Sequence, residues 1–115
     1  MEKLNLAIKI ANEIDSDKQR VVAIITDKKD RILSIGVNSY KKSHPIQFFY
    51  AKKFKQGFKI FQHAEINAIT KLDDKPYNIY VSRLTPSGKI GLAKPCPICE
   101  LAIKDVGIKN VHYTR

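Results

Sequence analysis

Two short stretches of the sequence combine residues that can bind a metal ion and transfer protons. One residue separates His63 from Glu65, two separate Cys96 from Cys99, and a proline stands on each side of Cys96. An imidazole and two thiolates are typical zinc ligands, and three protein ligands leave the fourth tetrahedral position to water. Zinc lowers the pKa of such a water from about 15.7 to about 7. The spacing therefore predicts a catalytic zinc site in which Glu65 carries protons.

The expected place of these residues in helices shows how they can share one ion. Cys96 and Cys99 lie three apart at a predicted helix start, so both sulfurs lie on one face. The N–H groups and dipole at a helix start also favour thiolates. His63 and Glu65 would point in nearly opposite directions in mid-helix, but first-turn residues can approach an ion beyond the helix end from several directions. We therefore expect two helix N-termini to meet at the ion.

Other interpretations of the same residues stay open at this point. A C-x-x-C pair alone also fits a redox pair or half of a structural zinc site. A redox role would leave His63 and Glu65 without a function. A structural zinc would need a fourth ligand, for which His44 and His112 are available.

Hydrophobic patterning predicts the elements that must position these residues. Runs of β-branched residues indicate strands, and apolar residues spaced by three and four indicate helices. A turn joins the first two strands into a hairpin, and a helix between the last two favours a parallel pair. In chain order we predict a helix at 2–14, strands at 21–26 and 32–38, a helix at 62–72, strands at 79–84 and 89–93, a helix at 95–106 and a strand at 109–113. The result is an α/β fold.

The segment 40–60 is long, basic and aromatic. We expect part of it to be helical, and a connection this long is usually functional or ordered by a partner. Most of its aromatics are expected to be core residues of a helix that lies against the sheet. The alternative is that they stack on unpaired bases. The aromatics concerned are Phe48, Phe49, Tyr50, Phe54 and Phe58.

Length and composition fit one globular domain, residues 1–115. The net charge of +10 is almost all lysine, since Arg20, Arg31, Arg83 and Arg115 are the only arginines. Arginine is the better reader of phosphates and bases, so a basic solvated surface explains the charge at least as well as a nucleic-acid groove. No apolar run approaches membrane-spanning length. With two cysteines and no secretory signal pattern, a cytoplasmic location is expected.

The two stretches together, H-A-E at 63–65 and P-C-P-I-C at 95–99, resemble the cytidine/deoxycytidylate deaminase superfamily. The resemblance covers almost the whole chain, and residues 63–69 are especially similar to deoxycytidylate deaminases. The helix between the last two strands resembles the deoxycytidylate, tRNA-adenosine and polynucleotide deaminases, and small phage proteins are similar too. The resemblance implies a three-layer α/β/α cytidine-deaminase-like fold, a mixed sheet of about five strands with helices on both faces.

The resemblance also implies an activity. His63, Cys96 and Cys99 would hold Zn²⁺, and Glu65 would be the general acid/base of a zinc-dependent hydrolase. The reaction would convert a cytosine base to uracil and release ammonia.

Three further residues are candidate substrate contacts. Asn38 matches a position where family members place a substrate-contacting asparagine, although turn propensity alone also explains an asparagine at a strand end. The backbone of Ala64 would meet the base. His44 either touches substrate or simply precedes Pro45 in a turn.

The sequence leaves three substrate classes open. The first is a free (deoxy)cytidine nucleotide or nucleoside such as dCMP, with segment 40–60 as a lid or phosphate site. The second is single-stranded DNA or RNA carrying cytosine or adenine, which the basic charge and the aromatics favour. The third is a non-catalytic, zinc-bearing nucleotide-binding module, against which Glu65 argues. Relatives often assemble through the helices around the zinc site, so the resemblance also allows a homo-oligomer.

The chain departs from the family pattern in two places. Many relatives pass directly from the third strand into Pro-Cys, whereas residues 84–94 insert a predicted hairpin here. Contacts normally made from that loop therefore do not carry over. The sequence also stops at Arg115, without the C-terminal helix of several relatives.

Overall fold

A five-stranded mixed sheet with helices on both faces organises the protein, which confirms the predicted fold class. The computed structural model describes residues 1–53 and 61–115. Within those ranges, no helix combines the length and apolar character that crossing a membrane requires. The elements are α1 (Glu2–Glu13), β1 (Arg20–Thr26), β2 (Ile32–Val37), α2 (Pro45–Lys53), α3 (Ala64–Thr70), β3 (Asn78–Leu84), β4 (Ile90–Gly91), α4 (Pro97–Asp105) and β5 (Asn110–Tyr113).

β1 and β3 form the centre of the sheet. β1 pairs antiparallel with β2 on one side and with β3 on the other. The far edge of β3 is shared, because β5 pairs with its first four residues in parallel and β4 pairs antiparallel with Arg83 and Leu84. The predicted first hairpin, the predicted return strand before Cys96 and the parallel last pair are all confirmed. The return strand is shorter than expected.

Alternate residues of the central strands supply two separate cores. On β1, Val22 and Ile24 pack beneath α1, whereas Ala23 and Ile25 pack beneath α3 and α4. A strand covered on both faces must be apolar throughout, which explains the continuous run of Val21 to Thr26. We call the two surfaces of the sheet the α1 face and the site face.

Helix α3 lies unusually close to β2 on the site face. Gly36 makes this approach possible, since a side chain there would overlap the Ala64 carbonyl oxygen and the Ala68 amide nitrogen. The Ser34 hydroxyl donates to the Ala68 carbonyl at 2.9 Å, and the Val37 N–H donates to Asn67 Oδ1 at 3.1 Å. These contacts fix the helix, and with it the position of its first turn.

Helix α2 corrects the prediction for the aromatic segment. It packs mainly against α4 and α3 rather than against the sheet. Tyr50 is buried as expected, but Phe48 and Phe49 are 47% and 53% exposed, so the prediction that most of the aromatics are core residues is wrong for these two. A short helix buries one stripe, and here that stripe is Gln47, Tyr50 and Ala51. Phe54 and Phe58 lie outside the described residues.

Candidate metal centre and active site

The N-termini of α3 and α4 meet on the site face, as the spacing predicted. His63 is the N-cap residue of α3 and Cys96 the N-cap residue of α4, both with extended backbone (φ/ψ −77°/155° and −69°/167°). Neither side chain caps its own helix. Pro97 occupies the first position of α4, where its missing N–H costs no hydrogen bond. Both N-cap side chains turn instead toward the same point.

Three donor atoms converge there. His63 Nδ1 lies 3.2 Å from Cys99 Sγ and 3.6 Å from Cys96 Sγ. All three donor atoms lie within 4.8 Å of one another. Bonds of about 2.0 to 2.3 Å in a tetrahedral arrangement place ligand atoms about 3.5 Å apart, so the nitrogen and the two sulfurs fit zinc in both chemistry and spacing.

Among the described residues, this group contains no fourth histidine, cysteine or carboxylate. His112 lies on the α1 face, where its ring stacks on Tyr80 with centroids 4.9 Å apart. His44 accepts the Ile46 N–H on Nδ1 at 3.1 Å and so belongs to the start of α2. Neither of the two candidate fourth ligands joins the group, which therefore has the three-ligand composition of an open site.

The hydrogen bond between the two thiols shifts their pKa values in opposite directions. The hydrogen bond from Cys99 lowers the pKa of Cys96 to about 4, despite the opposing effect of burial. The same hydrogen bond, together with burial, raises the pKa of Cys99. The charged form of Cys96 is therefore favoured, as expected at a helix start beside an imidazole.

Glu65 is a buried carboxyl next to these donors. It lies in the first turn of α3, only 6% exposed. Burial raises its pKa, because desolvation disfavours the charged form. A carboxyl in this state can hold a proton and release it again, which is the property of a general acid/base.

A cavity of about 530 Å³ opens in front of the donors, a volume typical of small-molecule sites. Five of the seven predicted site residues line it, namely Asn38, His63, Ala64, Glu65 and Cys96. Cys99 is fully buried behind them. Exposed apolar side chains form part of the rim: Tyr40, Phe61 and Leu92.

Asn38, one of the predicted substrate contacts, also forms hydrogen bonds within the fold. Asn38 Oδ1 accepts the Val21 N–H at 3.0 Å, and its Nδ2 donates to the Gln19 carbonyl at 3.2 Å. Asn38 therefore ties the end of β2 to the start of β1 while it lines the cavity. His44 is not among the described residues that line the cavity. Substrate contact by Asn38, Ala64 or His44 stays a prediction.

Sequence reasoning missed two residues of this region. Gln47 is fully buried on α2, and its side-chain carbonyl accepts the His63 N–H at 3.0 Å. Arg83 lies near the end of β3 and lines the cavity. The sequence holds a signal for both residues, because Gln47 interrupts an apolar and aromatic run and Arg83 is the one charged residue of 78–84.

Comparison with known families agrees with this geometry. The model of one family, described as the cytidine and deoxycytidylate deaminase zinc-binding region, matches residues 1–115. A comparison with curated proteins found no match to the chain.

Proposed function

The chain belongs to the cytidine and deoxycytidylate deaminase family, and from this premise we propose that residues 1–115 form one domain that deaminates the cytosine of a free (deoxy)cytidine nucleotide or nucleoside such as dCMP. A zinc-dependent, cytidine-deaminase-type function follows from the family and from the His63, Cys96 and Cys99 group. The observation that supports catalysis is Glu65, a buried carboxyl with a raised pKa in the same cavity.

In the proposed reaction, water adds to the base and ammonia leaves, so that cytosine and water become uracil and ammonia. A zinc ion held by His63, Cys96 and Cys99 would supply the acidity that makes water a nucleophile at neutral pH. Glu65 takes one proton from the water and gives it to the ring nitrogen beside the reacting carbon. It then takes the proton of the hydroxyl that has been added to that carbon and gives it to the amine, which leaves as ammonia. Its raised pKa suits this exchange, because a group that both takes and gives a proton works best near the operating pH.

The surrounding residues position these groups. Gln47 holds the backbone of His63 by accepting its N–H, and Gly36 lets β2 support α3 from behind. Ala64 lines the cavity at the start of α3, where we propose that its backbone meets the base. Positioning of this kind matters because small displacements of reacting groups cost large factors in rate.

A second candidate, deamination of single-stranded nucleic acid, is favoured by the exposed aromatics. Tyr40 and Phe61 lie on the cavity rim, and Phe48 and Phe49 are exposed on α2. Exposed rings can stack on the bases that flank a target base in a strand. The ammonium of Lys18 lies 4.8 Å from the centre of the Tyr40 ring, which places a cation next to this rim.

A substrate panel separates the two candidates. Zinc-loaded protein would be incubated with cytidine, deoxycytidine, CMP, dCMP and single-stranded DNA and RNA oligonucleotides, and the products identified by mass spectrometry. We expect conversion of a free nucleotide or nucleoside with stoichiometric release of ammonia. Conversion of oligonucleotides alone would exclude the first candidate and favour the second.

The Glu65→Gln variant tests the catalytic assignment. It should lower kcat by about 10²- to 10⁴-fold, the usual contribution of a general acid/base, and keep its zinc. Glu100→Gln is the matched control, because Glu100 is an exposed acidic residue in the first turn of α4. It should retain full activity. Wild-type turnover by the Glu65→Gln variant would contradict the proposed role.

A further inference from the structure

Arg83 is a cation in the cavity whose hydrogen-bonding capacity is only partly used. Its strand position places it on the site face, the same face as Ile79 and Val81. Nη1 donates to the Leu92 carbonyl at 3.2 Å. Nε is buried and finds no partner among the residues the structure describes. A guanidinium carries five N–H donors, so Arg83, which lines the cavity, has donors beyond the one that the Leu92 carbonyl engages.

The inserted hairpin holds the guanidinium in place. β4 returns alongside the end of β3, and Gly91 pairs with Arg83. A Cβ atom at Gly91 would stand 3.4 to 3.6 Å from Nε, Cδ and Cγ of Arg83, so the hairpin backbone lies against the arginine stem. The Leu92 carbonyl then fixes one end of the fork. Arg83 is therefore presented to the cavity by the part of the chain that departs from the family pattern.

The charges of the cavity wall favour an anion. Arg83 and Lys94 both line it, and neither forms a salt bridge with a carboxylate of residues 1–53 or 61–115. Apart from the zinc donor Cys96, Glu65 is the one acidic side chain among the described lining residues, and the proposed reaction already uses it. An arginine fork matches two oxygens of a phosphate, and a lysine adds a point charge.

We propose that Arg83, assisted by Lys94, binds a phosphate group of the substrate and so makes the enzyme specific for phosphorylated cytosine compounds. The identity of the base rests on the proposed function, whereas the phosphate preference rests on Arg83, Lys94 and the hairpin. The phosphate is that of a free mononucleotide or that of a phosphodiester, and the experiment separates these two sources.

Equilibrium binding tests the proposal without relying on turnover. Zinc-loaded Glu65→Gln protein would be titrated calorimetrically with deoxycytidine, dCMP and a single-stranded oligodeoxynucleotide that contains one cytosine. We expect dCMP to bind about 10- to 100-fold more tightly than deoxycytidine, the factor that one or two charge-assisted hydrogen bonds supply. Equal binding of dCMP and deoxycytidine would overturn the proposal. Tighter binding of the oligonucleotide than of dCMP would assign the phosphate to a polymer.

Variants at Arg83 then locate the effect. Arg83→Gln should reduce the preference for dCMP over deoxycytidine by about 10-fold or more. Arg83→Lys should have a preference between those of Arg83→Gln and the parent protein, because the charge remains but the planar guanidinium is lost. Lys94→Gln should show a smaller loss. Lys28→Gln removes the same charge from the exposed β1–β2 turn and should change nothing. Zinc content and circular dichroism would confirm that the variants fold.

The possible outcomes distinguish a failure of the phosphate site from a failure of the proposed function. A dCMP preference that disappears in Arg83→Gln, in a protein that deaminates nothing, would support the phosphate site and contradict the proposed function. Deamination that does not discriminate between dCMP and deoxycytidine would support the proposed function and overturn the phosphate site. A parallel loss of affinity for both ligands in both Arg83 variants would show that Arg83 only supports the hairpin, which also overturns the proposal.

Discussion

The two faces of the sheet place the same kind of group in opposite electrostatic states. At the edge of the α1 face, the Asp30 carboxylate accepts hydrogen bonds from the hydroxyls of Tyr80 (2.7 Å) and Thr26 (2.9 Å), with Lys3 at 3.7 Å. These contacts, that of Tyr80 above all, lower its pKa. On the site face, burial raises the pKa of Glu65. A carboxylate whose charged form is stabilised by its partners supports the fold, and a carboxyl whose charged form is disfavoured by burial can hold and release a proton.

Polar atoms without partners show the same contrast in two adjacent residues. Ser82 points to the α1 face and Arg83 to the site face, and the Ser82 hydroxyl and Arg83 Nε are both buried without a partner among the described residues. The cavity lies in front of Arg83 only, since Ser82 does not line it. An unpaired buried atom therefore belongs to a side chain in the packed interior on one face and to a side chain that lines the cavity on the other.

The largest effect is expected for Cys99→Ala, which removes one of the three donors from the site face. Zinc should fall well below one equivalent, activity should drop to background, and Tm should decrease. Metal analysis of the purified variant measures its zinc content. Wild-type protein treated with a chelator should show the same losses of zinc, activity and Tm. A variant that retains stoichiometric zinc would show that Cys99 is not a ligand.

Gly36→Ala should be the most destabilising change outside the donors. The added carbon would overlap backbone atoms of Ala64 and Ala68, which cannot rotate away, so we expect a loss of about 3 kcal/mol and weaker zinc binding. Urea denaturation measures the free energy of unfolding. Gly107→Ala is the control, since Gly107 has φ of +86° but open space around it and should lose only about 1 kcal/mol. Equal losses would contradict the close approach of β2 and α3.

Asp30→Asn should destabilise the α1 face modestly and leave the site unaffected. At pH 7 we expect a loss of about 1 kcal/mol, reduced by the partial exposure of the side chain. The folded-state pKa of Asp30 lies below its unfolded value of about 3.8, so its contribution is present above that pH and disappears as pH falls through the folded value. Denaturation curves of both proteins should therefore converge in acid. Loss of deaminase activity in the variant would contradict the separation of the two faces.

Ser82→Ala should give the smallest effect and the opposite sign. The buried hydroxyl has no partner among the described residues, so removing it should stabilise the protein by about 0.5 to 1 kcal/mol without a change in zinc content or activity. Thermal unfolding measures the gain. A decrease in Tm would mean that the hydroxyl makes a stabilising contact.

The sequence predicted the elements that have strong periodicity and the residues that have strong chemistry. The apolar run of β1 and the approximate starts of α3 and α4 needed no knowledge of tertiary contacts, because apolar periodicity and a proline in the first turn are local properties. The prediction for Phe48 and Phe49 was wrong because the buried side of α2 includes Gln47, whose side chain accepts the His63 N–H, a contact that the sequence does not reveal. Arg83 was missed because its role depends on a strand pairing with Gly91 that composition does not encode.

The two N-cap positions have a consequence for local motion. Serine, threonine, aspartate and asparagine are the usual N-cap residues, because their side chains protect the first amide groups of a helix. His63 and Cys96 do not do this for α3 and α4. First turns without a cap open more readily, and amide hydrogen exchange reports such opening. Exchange rates at the starts of these two helices thus offer a label-free measure of how rigidly the protein holds its reacting groups.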